Sequence, residues 1–112
     1  MTEWLDICPA GTLGPGEARA FEVAGLVIAL FNVEGEFLAL ENLCTHDGSP
    51  LLLDGLDPAD QLHGARVSCP HHGAVFCLRT GVPLTPPASE PAATFKTRVE
   101  SGTVQLCLPA LP

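Results

Sequence analysis

The sequence predicts an all-β fold, a small antiparallel β-sandwich or barrel formed by one domain of residues 1–112. Apolar segments are short and are separated by turn residues, since 11 of the 112 residues are Gly and 11 are Pro. No window of about a dozen residues combines a helical period of 3.6 with freedom from Gly and Pro. Short strands joined by Gly- and Pro-containing turns are typical of sandwiches and barrels.

Two consecutive hairpins are predicted in the first part of the chain. Residues 17–23 and 26–33 are apolar segments that flank Ala24-Gly25, and Glu34-Gly35 separates the second segment from residues 36–40. A two-residue turn that contains Gly between two apolar segments is a typical hairpin signal. We therefore expect three neighbouring antiparallel strands.

A further hairpin is predicted near the C-terminus. Residues 93–99 and 103–108 flank Ser101-Gly102. In the first of these segments the side chains alternate between Lys96 or Arg98 and less polar residues, which is the period of a half-buried strand. The chain between the hairpin regions, about residues 42–91, has little regular pattern and is expected to be rich in loops, where functional sites concentrate.

Composition excludes several classes of protein. With 46% apolar residues, the chain can build one core. Its formal charge of −8 argues against nucleic-acid binding, which requires a basic surface. The longest run without a polar side chain is nine residues, Val23–Phe31, which is too short to span a membrane. Because Met1–Asp6 has no basic segment before an apolar one, we expect a cytoplasmic protein.

The five cysteines divide into two kinds by their neighbours. An odd number without a secretion signal is a poor basis for disulfides. Cys8 and Cys107 lie in apolar surroundings and are interpreted as ordinary buried residues. Cys44 and Cys69 each have a histidine close by, which points to a metal site.

Two Cys-His pairs form the candidate metal site. Cys44-Thr45-His46 is followed, after 22 residues, by Cys69-Pro70-His71-His72. Two such loops can supply two thiolates and two imidazoles, which suits either one tetrahedral zinc ion or a [2Fe–2S] cluster. The order along the chain alternates between Cys and His, whereas zinc fingers place both Cys first. This order favours the cluster and leaves zinc as the alternative.

The sequences around these pairs resemble the two binding loops of Rieske ferredoxins. The first is Cys44-Thr45-His46-Asp47-Gly48-Ser49-Pro50-Leu51, and the second is Cys69-Pro70-His71-His72-Gly73-Ala74-Val75-Phe76. Arg79-Thr80-Gly81 and Pro86-Pro87-Ala88 extend the likeness. The resemblance implies a Rieske-type fold with a cluster-binding subdomain at about residues 42–91. It also implies one [2Fe–2S] cluster held by Cys44, His46, Cys69 and His72, with His71 as a less favoured nitrogen ligand.

The resemblance also implies a function and a set of partners. Rieske ferredoxins of ring-hydroxylating dioxygenase systems are soluble one-electron carriers. They take electrons from an NAD(P)H-dependent ferredoxin reductase and pass them to a terminal oxygenase. We therefore expect an electron-transfer protein, not an enzyme, that acts as a monomer. The alternatives are a Rieske-like small subunit of a larger reductase, such as NAD(P)H nitrite reductase, and a zinc-binding interaction module.

A low reduction potential is expected from the residues beside the ligands. By resemblance, high-potential Rieske proteins carry a disulfide between the loops and hydroxyl donors near the cluster sulfurs. Here Ser49 and His71 stand in place of the two cysteines, and Ala74 and Phe76 replace the hydroxyl-bearing residues. Because hydrogen bonds to sulfur stabilise the reduced cluster, their loss lowers the potential.

The sequence also allows an interpretation of several residues outside the two cysteine loops. The segment 57–62 lengthens the gap between the loops and is interpreted as a few extra residues on a surface turn. His63 is expected to be solvated or structural, and Cys77 could be buried behind the ligands. No basic residue lies between Arg19 and Arg66, and seven acidic residues of that span either solvate turns or form an acidic collar that steers docking. They are Glu34, Glu36, Glu41, Asp47, Asp54, Asp57 and Asp60.

Overall fold

The computed structural model describes residues 3–45, 48–52, 57–70, 73–85 and 90–108, and within these ranges the chain is built from strands. Two short 3₁₀ helices are also present, Ala10–Thr12 and Pro58–Asp60. The strands are β1 Glu3–Pro9, β2 Ala18–Val23, β3 Leu26–Val33, β4 Glu36–Glu41, β5 Arg66–Ser68, β6 Val75–Cys77, β7 Thr94–Glu100 and β8 Thr103–Leu108. The all-β prediction is confirmed. Among the described residues, no helix has the length and apolar character needed to cross a membrane.

Six of the strands form one antiparallel sheet in the order β1-β8-β7-β4-β3-β2, and β5 pairs with β6 in a small second sheet. The two edge strands of the large sheet, β1 and β2, also contact each other. The sheet therefore curls into a half-barrel, which is the form that the predicted sandwich or barrel takes. The edge strand β1 was not predicted.

All three predicted hairpins are present, and each has a turn of the expected two residues. Ala24-Gly25 has φ of 51° and 82°, Glu34-Gly35 has 54° and 94°, and Ser101-Gly102 has 51° and 79°. Positive φ at both central residues matches the right-handed twist of the flanking strands. Since Gly adopts positive φ without steric cost, its place at the second position of each turn fixes the register.

Strand β3 lies between two hydrophobic cores. Ile28 and Leu30 pack into the core inside the curl of the large sheet. Ala29 and Phe31 point to the other face and pack into a core shared with the small sheet. All four side chains are fully buried. Burial on both faces explains why β3 is apolar without alternation from Leu26 to Phe31.

The second core attaches the small sheet to the large one. Val67 and Phe76 from the small sheet pack with Phe31 and Leu40, and all four are fully buried. The region of residues 42–91 thus contains two three-residue strands, too short to give a recognisable period in the sequence. The remainder of its described part consists of turns, bridges and one 3₁₀ helix.

Candidate metal centre

The first cysteine loop is closed by two main-chain hydrogen bonds around Cys44. The N–H of Cys44 donates to the carbonyl oxygen of Ser49 at 2.6 Å, and the N–H of Gly48 donates to the carbonyl oxygen of Cys44 at 2.8 Å. Gly48 has φ of 79°, which a residue with a side chain adopts only under strain. The loop thus turns back sharply and leaves the Cys44 side chain fully buried.

The second cysteine loop repeats this pattern at the same spacing. The N–H of Cys69 donates to the carbonyl oxygen of Ala74 at 2.7 Å, and the N–H of Gly73 donates to the carbonyl oxygen of Cys69 at 3.0 Å. Gly73 has φ of 72°, and Cys69 is 2% exposed. Because Ser68 pairs with Val75 immediately before and after this loop, the β5–β6 sheet presents Cys69 at its end.

Buried side chains and the proline-rich segment hold the first loop in place. Asn42 closes its ends, because its Nδ2 donates to the Leu52 carbonyl oxygen at 3.2 Å and its Oδ1 accepts from the Leu52 N–H at 2.8 Å. Thr45 Oγ1 donates to the carbonyl oxygen of Glu90 at 2.6 Å. These contacts define the loop from residue 42 to residue 52.

The proline-rich segment also contacts the second loop. Thr85 Oγ1 accepts a hydrogen bond from the Val75 N–H at 2.9 Å and lies 3.5 Å from the carbonyl oxygen of Gly73. Pro83 forms a β-bridge with Phe76. Pro83 and Thr85 therefore contact the second cysteine loop, and Glu90 contacts the first.

The thiols fit the sulfur half of the predicted donor set. Cys44 and Cys69 lie in the same hydrophobic core, where an uncompensated thiolate would carry a large desolvation cost. A bound metal ion offsets that cost, because a coordinating thiol loses its proton and the positive charge of the metal compensates the negative charge of the thiolate. His46, His71 and His72 lie outside the described residues, so the nitrogen half of the set remains a prediction.

The surroundings of Cys69 are apolar, as the low-potential prediction requires. Ala74 and Phe76 are both fully buried, and neither side chain carries a hydroxyl group. Their packing in the core of the small sheet leaves hydrocarbon where the resemblance places hydrogen-bond donors in high-potential proteins.

Cys77 differs from its expected place behind the ligands. It pairs with Arg66 at the end of β6 that is farther from the cysteine loops, and it is partly exposed. Its main chain forms a third loop of the same type, with Cys77 N–H to Val82 O at 2.9 Å and Gly81 N–H to Cys77 O at 2.7 Å. This turn ends β6, and Cys77 lies at the end of the small sheet without being buried.

The pKa of Cys77 is held below the ordinary value of a thiol. The main cause is a hydrogen bond from the Thr80 side chain, and main-chain N–H groups of Thr80 and Arg79 add to it. Burial raises the pKa of Cys8, which lies in the core inside the large sheet. As expected from the sequence, Cys8 and Cys107 are buried.

Cys77 is therefore expected to be alkylated by iodoacetamide at lower pH than an ordinary thiol, because the thiolate is the reacting form. A lowered pKa places more thiolate at a given pH, so the midpoint of the rate-against-pH curve shifts downward. Mass spectrometry of the modified peptides measures this for each cysteine. Cys8 is the internal control and should react more slowly than Cys77, and Thr80→Ala should return the Cys77 midpoint toward the ordinary value. An unchanged midpoint in Thr80→Ala would contradict the assigned cause.

The acidic residues of the predicted collar have different local surroundings where the structure describes them. Glu36 and Glu41 stand at opposite ends of β4, about 17 Å apart at 3.4 Å per residue. Glu36 forms a two-point ion pair with Arg79, in which both N–O distances are 2.8 Å. Asp57 accepts a hydrogen bond from Ala59 N–H. The extended strand β4 separates Glu36 from Glu41. Asp47 and Asp54 lie outside the described residues, so the collar stays a prediction.

Sequence reasoning missed the polar side chains that organise the loops. Asn42 and Gln61 are buried, and Thr45 and Thr85 bond to main-chain oxygens or N–H groups of other loops. Amides and hydroxyls are common in loops, so the sequence contains no signal that distinguishes them. His63 is exposed, in agreement with its interpretation as a solvated residue.

The sequence and the fold of this chain are both similar to those of known ferredoxins. The chain is 41% identical over 102 residues to the 3-phenylpropionate/cinnamic acid dioxygenase ferredoxin subunit of Escherichia coli K12, with 91% of each chain covered. It superposes on a Sphingomonas yanoikuyae B1 ferredoxin with a TM-score of 0.81 and 29% identity, covering 96% of this chain and 100% of that one. A chain in the complex of reduced oxygenase and oxidized ferredoxin of carbazole 1,9a-dioxygenase gives a TM-score of 0.79 at 32% identity, with 92% and 91% covered.

The family assignment follows from the whole chain as well as from the two loops. Residues 3–96 match the family described as the Rieske [2Fe-2S] domain, a range that includes both cysteine loops and strands β1 to β6. This family binds one [2Fe–2S] cluster, which selects the cluster over the zinc alternative. The half-barrel, the attached small sheet and the paired cysteine loops are those of a member of the Rieske [2Fe–2S] domain family, to which this chain belongs.

Proposed function

We propose that this protein is a soluble, cytoplasmic one-electron carrier of a ring-hydroxylating dioxygenase system. It takes electrons from an NAD(P)H-dependent ferredoxin reductase and passes them to a terminal oxygenase. One observation carries the proposal: Cys44 and Cys69 are buried in one core, on loops of the same backbone form whose tips, Gly48 and Gly73, are exposed. Relatives named as dioxygenase ferredoxin subunits support it.

In this proposal each residue of the site has a distinct task. The thiolates of Cys44 and Cys69 hold one iron, and the imidazoles of His46 and His72 hold the other. When bound, the cluster supplies a centre that accepts and releases one electron at a time. The resemblance implies that these imidazoles lie near the surface, where a partner can reach them, and the exposure of the nearby Gly48 and Gly73 supports this part of the proposal.

The packing around the two cysteines suits a centre that transfers electrons. Leu51 and Phe76 are fully buried in the same core as the two cysteines and shield the sulfurs from water. The hydrogen-bonded loops limit the movement of the ligands between the two oxidation states, which favours rapid electron transfer. The chain is an electron-transfer component and not a catalytic subunit, in line with its relatives' names.

The relatives also bear on the alternative of a permanent reductase subunit. Those reported above are ferredoxins or ferredoxin subunits of dioxygenases, and the chain spans 91% of the Escherichia coli protein. We therefore favour a separate carrier that acts as a monomer. Size-exclusion chromatography of the purified protein tests this, since a permanent subunit would elute with a larger partner.

Redox titration is the direct test of the proposed function. We expect visible absorption that bleaches with one electron per chain, and a midpoint potential toward the lower end of the roughly −150 to +300 mV Rieske range. The reduced protein should give an EPR signal with an average g value below that of all-cysteine clusters. A strongly positive midpoint would contradict the low-potential prediction. A colourless protein with stoichiometric zinc, after expression that loads iron–sulfur clusters, would overturn the proposal that this protein is an electron carrier.

A further inference from the structure

We propose that Gln61 is a positioning residue that fixes the two cysteine loops relative to each other. The inference rests on the proposed function, because it takes Cys44 and Cys69 as ligands of one cluster. It assigns the segment 57–62, which lengthens the gap between the loops, to the support of the metal centre.

The side chain of Gln61 connects the two loops directly. Gln61 is 5% exposed, and its Nε2 donates to the carbonyl oxygen of Leu51 at 2.5 Å and to that of Ser68 at 3.0 Å. Leu51 belongs to the first loop, and Ser68 immediately precedes Cys69. One amide group therefore sets the distance between a point on the Cys44 loop and the start of the Cys69 loop.

The chemistry of the partners fixes the orientation of this amide. Both are carbonyl oxygens, so the NH₂ group must face them, since an amide oxygen in that place would meet two acceptors. Within the described residues, Gln61 Oε1 is buried and has no hydrogen-bond donor. Burying this oxygen without a donor is unfavourable, so the two hydrogen bonds that the amide nitrogen makes must hold the side chain in this orientation.

The main chain around Gln61 is anchored as firmly as the side chain. Its N–H donates to the Pro58 carbonyl oxygen at 3.0 Å, which closes the 3₁₀ turn, and Asp57 Oδ1 accepts from Ala59 N–H at 3.0 Å. On the other side, the Ser68 N–H donates to the Gln61 carbonyl oxygen at 2.9 Å. The segment thus presents a rigid donor pair to the loops.

Gln61 differs in this from the other buried amide at the site. Asn42 bonds to Leu52 in both directions and so closes the first loop on itself. Gln61 bonds to one residue of each loop and so couples them. Replacing Gln61 is therefore expected to change the distance between the two thiolates, whereas replacing Asn42 is expected to affect the first loop alone.

Gln61→Met tests the inference, because it keeps the length of the side chain and removes both donors. Outer-shell partners of metal ligands typically contribute 10–100-fold to metal affinity. We expect the rate of cluster release into excess chelator, followed by visible bleaching, to rise by about 10- to 100-fold. The EPR signal of the reduced protein should broaden, because the two thiolates are no longer held at one separation.

Gln105→Met is the matched control. Gln105 also donates through its amide nitrogen, to Asp6 Oδ1 at 2.7 Å, but it lies on β8, far along the chain from both loops. Its substitution should leave the release rate and the EPR signal unchanged. If Gln61→Met does not fold, Gln61→Asn keeps the donors on a shorter side chain and should release the cluster at an intermediate rate.

The outcomes separate this inference from the proposed function. If Gln61→Met keeps the wild-type release rate and EPR spectrum and loses only thermal stability, the residue is merely structural and the inference is wrong. If the wild-type protein itself holds no cluster under loading conditions, the proposed ligand set fails, and the inference fails with it. A faster release in Gln61→Met, with Gln105→Met unchanged, supports the coupling of the two loops.

Discussion

Replacing Cys44 or Cys69 by serine is expected to abolish cluster binding. Each thiolate is a direct ligand in the proposed site, so the effect should exceed the roughly 10- to 100-fold that loss of an outer-shell partner costs. Serine is nearly isosteric but is a poor ligand for iron at neutral pH, because its hydroxyl stays protonated. Iron content per chain and visible absorption after purification measure the result.

Serine at Cys107 provides the control for these two variants. Cys107 is also buried, at 7% exposed, but it lies on β8 in the large sheet. Cys107→Ser should therefore lower stability modestly and leave the iron content unchanged. Full iron occupancy in Cys69→Ser would contradict the ligand assignment.

The same measurement decides between the two adjacent histidines. The resemblance assigns His72 as a ligand and leaves His71 beside it. His72→Ala should lose the cluster, and His71→Ala should retain it with a similar spectrum. The reverse result would move the second nitrogen ligand to His71.

Gly81→Ala is expected to cause a large loss of stability although it adds only one methyl group. Gly81 has φ of 77°, and a Cβ built on it would lie 2.1 Å from the carbonyl oxygen of Ala92. The clash involves main chain on both sides, because Ala92 N–H also donates to the Gly81 carbonyl oxygen at 2.8 Å. Backbone strain and overpacking together predict a loss of about 3 to 5 kcal/mol in the free energy of unfolding. Urea unfolding of the holo-protein measures it.

Gly25→Ala separates the clash from the effect of positive φ. Gly25 has φ of 82°, and nothing lies within 4 Å of a Cβ at that position. Its substitution should therefore cost about 1 to 2 kcal/mol, the value for a left-handed residue with a side chain. Equal losses in the two variants would show that the contact between Gly81 and Ala92 has no effect of its own.

The local parts of the fold could be predicted because their determinants are neighbours in sequence. Each Xaa-Gly pair between apolar segments encodes its own turn, so Ala24-Gly25, Glu34-Gly35 and Ser101-Gly102 placed three hairpins correctly. The spacing of the two cysteines and their histidines gave the candidate site in the same way. These signals need no knowledge of what packs above or below them.

The parts that were missed depend on residues far apart in the chain. Strand β1 exists because it pairs with β8, with Trp4 opposite Cys107, and because Arg98 lies 4.2 Å from the centre of the Trp4 ring. This pairing and this ring contact join residues about 100 positions apart, so they cannot be obtained from a local pattern.

The sequence by itself therefore determined the strands of the three hairpins, their turns and the identity of the candidate ligands, because these depend on local backbone chemistry and on side-chain type. Only the tertiary structure decided which buried amides hold the loops, that Cys77 is partly exposed, and that β3 is covered on both sides. These features arise when chain segments many residues apart meet and satisfy each other's hydrogen bonds. A glutamine such as Gln61 acquires its role only where Leu51 and Ser68 come within reach of one side chain.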